Sequence, residues 1–112
     1  MEQKNKQDLI YPYYSHLCFS NIPATIQKFF NIDPRRPTLP PDIFNDRVES
    51  GDASKLILIL IDGLSYDQYL RYSQYKFFQS FIKKGWVTPL TSIFPSTTAA
   101  SLTTINSGLT PQ

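Results

Sequence analysis

An uninterrupted apolar run is the clearest element of this sequence. Residues 56–61 read Leu-Ile-Leu-Ile-Leu-Ile, with no polar residue among them. A strand without polar alternation is typical of parallel sheets that are buried on both faces. Asp62 and Gly63 follow the run as a turn-forming pair. The pattern therefore predicts a central strand over residues 55–61, covered by helices on both sides of a sheet.

A second strand is predicted between two helices. Apolar residues that recur at helical intervals predict a helix from about Ser65 to Lys84. A strand is expected over residues 86–94, although Pro89 would place an edge, a bulge or a break in it. A last helix is predicted over residues 98–107, with a glycine directly beyond its end. Strand, helix, strand and helix in this order predict a right-handed α/β unit with a parallel strand pair.

Two strands alone would leave this sheet unfinished. Their edges cannot be covered by the same two strands, so we expect the sheet to continue beyond residue 112. The predicted fold class is α/β, with a mainly parallel sheet that is incomplete in this chain. Residues 51–112 would begin the α/β domain, and residues 1–50 would be a lead-in. The lead-in would contain two short helices, over residues 22–30 and 41–48. A proline-rich connector over residues 33–41 would join them.

Charge is confined to one part of the chain. Eleven Lys and Arg residues and nine Asp and Glu residues give a net charge of +2, and all of them lie within residues 1–84. This small net charge gives no reason to expect a nucleic acid polymer or an anionic membrane as a partner. The single cysteine, Cys18, excludes an internal disulfide and a cysteine-rich zinc site. We expect Cys18 to be a small buried apolar residue.

Targeting signals are not apparent in the sequence. Its longest aliphatic run, residues 56–61, is too short to span a bilayer, so no transmembrane segment is expected. Residues 1–8 are polar and carry mixed charge, unlike the apolar core of a signal peptide. A cytoplasmic location is therefore the default expectation.

Two polar groups follow the predicted strands, and both are candidates for chemistry. Asp62 follows the first strand, and Ser96-Thr97-Thr98 follow the second and begin the last helix. Alone, Asp62 fits an ordinary turn and Thr98 an ordinary helix start. Ligands, however, collect beyond the carboxyl ends of parallel strands. A carboxylate that can hold a cation, beside a hydroxyl at a helix N-terminus that favours an anion, suits nucleophilic attack on phosphorus.

These candidates lie within three longer segments, Leu58–Leu64, Thr91–Ala100 and Thr103–Pro111. In this order and at this separation, the segments resemble the type I phosphodiesterase/nucleotide pyrophosphatase family of the alkaline phosphatase superfamily. The resemblance covers about residues 55–112 and is weaker over residues 11–48. It implies an alkaline-phosphatase-like three-layer fold and a hydrolase that acts on phosphodiesters, nucleotide pyrophosphates or related phosphate esters.

The same resemblance implies a role for each candidate residue. Asp62 corresponds to a carboxylate that binds a divalent metal ion, and Thr98 corresponds to the metal-activated threonine that attacks phosphorus. Two divalent ions, zinc by resemblance, would activate the threonine and the hydrolytic water. Thr97 stays open as an alternative nucleophile, because the register of a Ser-Thr-Thr run is ambiguous. Ser101 stands where many nucleotide pyrophosphatases have Asn, which leaves the substrate subclass open.

The family's other metal ligands are Asp and His residues that would lie beyond residue 112. The only histidine, His16, precedes the first predicted strand and corresponds to none of them. We therefore expect the N-terminal part of a metal-dependent phosphoric ester hydrolase, inactive alone, whose partners are its substrate and the C-terminal part of its domain. The alternative is a truncated, non-catalytic gene product or a partner-dependent fragment.

Overall fold

Helices provide the regular structure of this protein. The computed structural model describes residues 10–44, 51 and 53–111. Within these ranges there are four α-helices, α1 (Ile22–Phe29), α2 (Tyr66–Arg71), α3 (Lys76–Lys84) and α4 (Thr98–Ser107). Two short 3-10 helices cover Phe19–Asn21 and Pro41–Phe44. No helix in the described ranges is long and apolar enough to cross a membrane.

The predicted parallel sheet is wrong for the described residues. Residues 56–61 pair with no described strand, and all six side chains are exposed, up to 86% for Ile57. In the described part of the chain, the one isolated β-bridge joins Cys18 to Thr91 in parallel orientation. The predicted strand over residues 86–94 is thus reduced to a single paired residue. The α/β class fails because a strand needs N–H and C=O partners on a neighbouring segment, and residues 56–61 find none among the described residues.

Thr91 joins the N-terminal segment to the second half of the chain. Its N–H donates to the carbonyl of Leu17 at 2.9 Å, and its carbonyl accepts from the N–H of Phe19 at 2.9 Å. Its hydroxyl accepts from the N–H of Tyr13 at 2.9 Å and donates to the carbonyl of Leu17 at 3.0 Å. The second predicted strand therefore pairs with the lead-in, whereas the sequence predicted that it would pair with residues 55–61.

The core lies where α1, α4 and the segments on either side of the bridge meet. Helices α1 and α4 pack against each other. Cys18 is fully buried, which confirms its prediction as a small core residue, and Ile93 is only 2% exposed. The Thr25 hydroxyl donates to the Asn21 carbonyl at 2.7 Å and accepts from the N–H of Leu39 at 2.8 Å. This buried hydroxyl connects α1 to the proline-rich connector.

The predicted lead-in helices form in shortened versions. Helix α1 begins at Ile22 as predicted and ends at Phe29. Asn21 precedes it, but its side chain makes no capping hydrogen bond and donates to the carbonyl of His16 at 2.7 Å. The helix predicted over residues 41–48 is a 3-10 helix, Pro41–Phe44, and its remainder lies outside the described residues.

The long helix predicted from Ser65 to Lys84 is two helices, α2 and α3. Ser65 and Gln68 form a capping box that begins α2, with the Ser65 hydroxyl accepting from the Gln68 N–H at 3.2 Å. The Ser73 hydroxyl donates to the Leu70 carbonyl at 2.8 Å and thereby competes with helical bonding between α2 and α3. The Tyr69 and Phe78 rings meet edge to face at 5.6 Å and join the two helices.

Helix α4 agrees with its prediction at both ends. It runs from Thr98 to Ser107, and Gly108 follows it in the left-handed region with a φ of 70°. The N–H of Gly108 donates to the Thr104 carbonyl at 2.8 Å and satisfies a terminal acceptor of the helix. The N-terminus of α4 is thus fixed at the residues that sequence analysis identified as candidate site residues.

Candidate functional site

Asp62 and Thr98 lie side by side. The Thr98 hydroxyl donates to Oδ2 of Asp62 at 3.3 Å. Asp62 directly follows the apolar run, and Gly63 turns the chain after it with a φ of 73°, a conformation that favours glycine. The structure therefore brings the two predicted site residues together without the sheet that was expected to align them.

The two threonines at the start of α4 have different local roles. Thr97 is the N-cap residue, with extended backbone angles, and its hydroxyl accepts from the N–H of Ala100 at 3.3 Å. Thr98 is the first residue of the helix, and its hydroxyl is directed at Asp62. The structure thus separates two hydroxyls whose roles the sequence left open.

The beginning of α4 offers two backbone donors. Ser101 donates its N–H to the Thr97 carbonyl at 2.9 Å, and Ala100 donates to the Thr97 hydroxyl. The N–H groups of Thr98 and Ala99 have no acceptor among the described residues. Free N–H groups at the positive end of a helix dipole favour an anion. An anion bound here would contact the same helical turn that carries the Thr98 hydroxyl.

Asp62 and Thr98 are exposed and line an open cavity of about 460 Å³. Ser101, which the sequence singled out for the substrate subclass, lines this cavity one helical turn after Thr98. The described residues that line the cavity include one carboxylate and no Lys, Arg or His. The full lining is Phe19, Leu60, Ile61, Asp62, Gly63, Leu64, Ser65, Gln68, Ser92, Ser96, Thr98 and Ser101.

Several of these lining residues were not predicted from the sequence. Gln68 reaches the cavity because the capping box fixes the start of α2 beside Asp62. The Ser65–Gln68 spacing was the available signal, since a serine followed three residues later by glutamine indicates a helix start. Phe19 and Ser92 gave no comparable signal, because their positions depend on the pairing of Cys18 with Thr91.

Asp62 and Thr98 fit a metal ion as part of its set of ligands. Carboxylate and hydroxyl oxygens suit a hard or borderline divalent cation, and zinc sites in proteins use at least three protein ligands. Across the described ranges, no three His, Cys, Asp or Glu residues form a group that could hold a metal ion. His16 does not line the cavity, and its ring lies 5.2 Å from that of Tyr13. The described residues therefore supply two oxygen donors beside each other and do not supply the rest of a site.

Comparison with known proteins identifies one family. A family model described as type I phosphodiesterase / nucleotide pyrophosphatase matches residues 56–112, just over half of the chain. The match begins at the apolar run and includes both Asp62 and Thr98. This confirms the resemblance that the three sequence segments indicated. No curated protein and no solved structure matches the chain.

Proposed function

Because this chain belongs to the type I phosphodiesterase / nucleotide pyrophosphatase family, we propose that it acts in metal-dependent hydrolysis of phosphoric esters with Thr98 as the nucleophile. Membership of the family implies hydrolase chemistry on phosphate esters or nucleotides. The assignment of Thr98 is carried by one observation, the hydrogen bond from its hydroxyl to Asp62 at the N-terminus of α4. Thr97 is the weaker candidate, since its hydroxyl already caps the helix.

The proposed reaction has two displacements at phosphorus. In the first, Thr98 Oγ1 forms a bond to phosphorus while the ester P–O bond breaks, and the alcohol departs with the bonding electrons and takes up a proton. The Thr98 proton is oriented toward Asp62, so the oxygen lone pairs are available to the cavity. In the second, water attacks phosphorus, the P–Oγ1 bond breaks, and Thr98 is restored.

The start of α4 would bind the phosphoryl group during both displacements. The N–H groups of Thr98 and Ala99 are positioned at the helix N-terminus, where they can donate to phosphoryl oxygens. The hydroxyl of Ser101 lines the same cavity one turn further along α4 and is a third candidate donor. These groups are fixed by the helix before substrate binds, which lowers the cost of reorganisation.

A cation is proposed because the cavity contains uncompensated negative charge. A phosphoric ester placed beside Asp62 meets a carboxylate, and no basic side chain lines this cavity among the described residues. A cation between the carboxylate and the phosphoryl group would turn this repulsion into attraction. Asp62 and the Thr98 oxygen would hold one of two divalent ions, zinc by resemblance. When bound, the ions would favour deprotonation of the nucleophiles and neutralise phosphoryl charge.

Covalent labelling tests the nucleophile directly. The chain is incubated with zinc and bis-p-nitrophenyl phosphate, and the modified residue is located by peptide mass spectrometry. We expect a zinc-dependent phosphoryl adduct on Thr98 in the natural chain and in Thr97→Val, and none in Thr98→Val. An adduct that persists in Thr98→Val, or that forms on Thr97, would show that another residue is the nucleophile. The absence of any adduct in the natural chain would count against the proposed function.

One observation favours the second candidate, a partner-dependent polypeptide without catalysis of its own. The apolar residues 56–61 are exposed in the described structure, with Ile57 at 86% and Ile59 at 75%. Apolar surface of this kind is usually covered by another polypeptide. Under this alternative, the labelling experiment gives no adduct, and a binding partner protects residues 56–61 from solvent.

A further inference from the structure

Helix α3 separates its apolar and polar residues onto two opposite faces. At 100° per residue, four apolar side chains fall within one arc of about 140°. The polar residues fall on the opposite face, which includes three lysines. The apolar set is Phe77, Phe78, Phe81 and Ile82, and the polar set is Lys76, Gln79, Ser80, Lys83 and Lys84.

The apolar face of α3 is open to solvent. Phe77 is 66% exposed, Ile82 is 60% exposed and Phe81 is 45% exposed. Phe78 packs against Tyr69, but α3 has no substantial packing contact with another described helix. Leu70 of α2 is also exposed, so the apolar surface extends onto the preceding helix. Three large apolar side chains exposed on one short helix are unusual for a surface that meets only water.

The charged residues of α3 and of the sequence after it all have one sign. Residues 68–112 contain four basic residues and no acidic residue. The net charge of +2 hides this asymmetry, because all nine acidic residues lie within residues 1–67. Within the described ranges, none of the four basic residues forms an ion pair. These residues are Arg71, Lys76, Lys83 and Lys84.

We propose that α3 is a membrane-surface helix that binds an anionic lipid bilayer. Its Phe face would enter the boundary between headgroups and acyl chains, and the lysines of the opposite face would remain among the lipid phosphates. An aromatic face opposite a lysine-rich polar face is typical of helices that lie in this plane. Charge complementarity favours an anionic bilayer, because α3 itself carries three lysines and no acidic residue. The helix lies on the membrane and does not span it.

The single tryptophan provides a natural probe. Trp86 follows α3 after one glycine, and its ring packs edge to face against Phe44 at 5.6 Å. The chain is titrated with phosphatidylcholine vesicles, with and without phosphatidylserine, while Trp86 emission and co-sedimentation are recorded. We expect a blue shift and co-sedimentation with the mixed vesicles, weaker binding to pure phosphatidylcholine, and loss of binding as salt is raised.

Paired variants distinguish the two faces. Lys83→Gln with Lys84→Gln is expected to weaken binding to mixed vesicles roughly thirtyfold. Phe77→Ser with Phe81→Ser is expected to weaken it at least as much and to remove the Trp86 shift. Both aromatic positions are exposed, so folding is expected to survive, and far-UV circular dichroism checks that helix content is retained. Arg35→Gln with Arg36→Gln removes the same charge elsewhere, and Tyr11→Ser removes an exposed aromatic ring elsewhere. Both controls should bind like the natural chain.

Three outcomes would overturn the proposal. The first is the absence of a Trp86 shift and of co-sedimentation with the mixed vesicles. The second is equal loss of binding in the α3 variants and in their controls, which would make the attraction unspecific. The third is a protein partner. If the natural chain self-associates without vesicles, and Phe77→Ser with Phe81→Ser makes it monomeric without changing vesicle binding, the apolar face binds a second copy.

Discussion

The Thr98 hydroxyl donates to Oδ2 of Asp62 across 3.3 Å, although the two residues are 36 positions apart. The carboxylate at the end of an apolar run and the first residue of α4 thus form one unit at the wall of a cavity. Residues in direct contact do not contribute independently to binding. The pair is therefore expected to respond to substitution as a coupled site.

Zinc affinity tests the role of the carboxylate. Asp62→Asn keeps the size of the side chain but removes its charge, and we expect zinc affinity to fall more than about tenfold. Thr98→Val should cause a smaller loss, and the double variant should lose less than the sum of the two free-energy changes. Isothermal titration calorimetry provides the affinities. Asp67→Asn, in the first turn of α2, is the matched control. Equal affinities in Asp62→Asn and in the control would exclude Asp62 as a ligand.

Because only Thr97 caps α4, substitutions of Thr97 and Thr98 should change the stability of this helix by different amounts. Thr97→Ala removes the acceptor of the Ala100 N–H and should lower the stability of α4 by about 1 kcal/mol. Thr98→Ala removes no cap, and its effect should stay within about 0.5 kcal/mol. Amide hydrogen exchange in α4 measures both changes. The opposite ranking would mean that Thr98 is the capping residue and that the register of the nucleophile must be shifted.

Repeated turnover by the 112-residue chain is expected to be negligible. A hydrolytic site with two metal ions needs several protein ligands for each ion, and the described residues that line the cavity include a single carboxylate and no His or Cys. The first displacement would need Thr98 and the one ion that Asp62 helps to hold, whereas release of the adduct would need water activated by a second ion. An adduct on Thr98 should therefore accumulate without turnover. Zinc-dependent, Thr98-dependent release of many equivalents of p-nitrophenol would contradict this.

Helix ends could be predicted because their signals are local. Thr97 caps α4, Gly108 follows it in the left-handed region, and both were visible as residue types in the sequence. The interruption between α2 and α3 was not predicted, because the apolar spacing of a helix continues across it. The bond from the Ser73 hydroxyl to the Leu70 carbonyl leaves no mark in that spacing. Local chemistry thus predicted the position of the candidate nucleophile on its helix.

The sheet could not be predicted, because pairing is a property of two distant segments. The composition of residues 56–61 favours a buried strand, but burial needs neighbours on both sides, and the described residues provide none. Thr91 instead pairs with Cys18, for which the sequence gives no pattern. The same reason explains why Phe19 and Ser92 were not expected at the cavity, whereas Asp62 and Thr98 were.

The isolated chain is expected to be only marginally folded. Its fully or largely buried apolar residues are few among the described positions, while the side chains of residues 56–61 and the Phe face of α3 are exposed. Burial of apolar area stabilises the folded state. The small area buried here offsets little of the conformational entropy that the chain loses on folding. We expect a broad, weakly cooperative urea transition and binding of the dye ANS under native conditions. A sharp transition without ANS binding would contradict this expectation.

Two isoleucines at opposite extremes of burial test where the core lies. Ile93 is 2% exposed beside the Cys18–Thr91 bridge, and Ile57 is 86% exposed in the apolar run. Ile93→Ala removes buried methyl groups and leaves a cavity, so it should cost about 2–4 kcal/mol and unfold a marginally stable chain. Ile57→Ala makes the same chemical change at an exposed position and should stay within about 0.5 kcal/mol. Helix content and urea unfolding measure both variants. If Ile57→Ala is the more damaging, residues 56–61 are buried in solution, and the apolar run is the core element that its sequence first indicated.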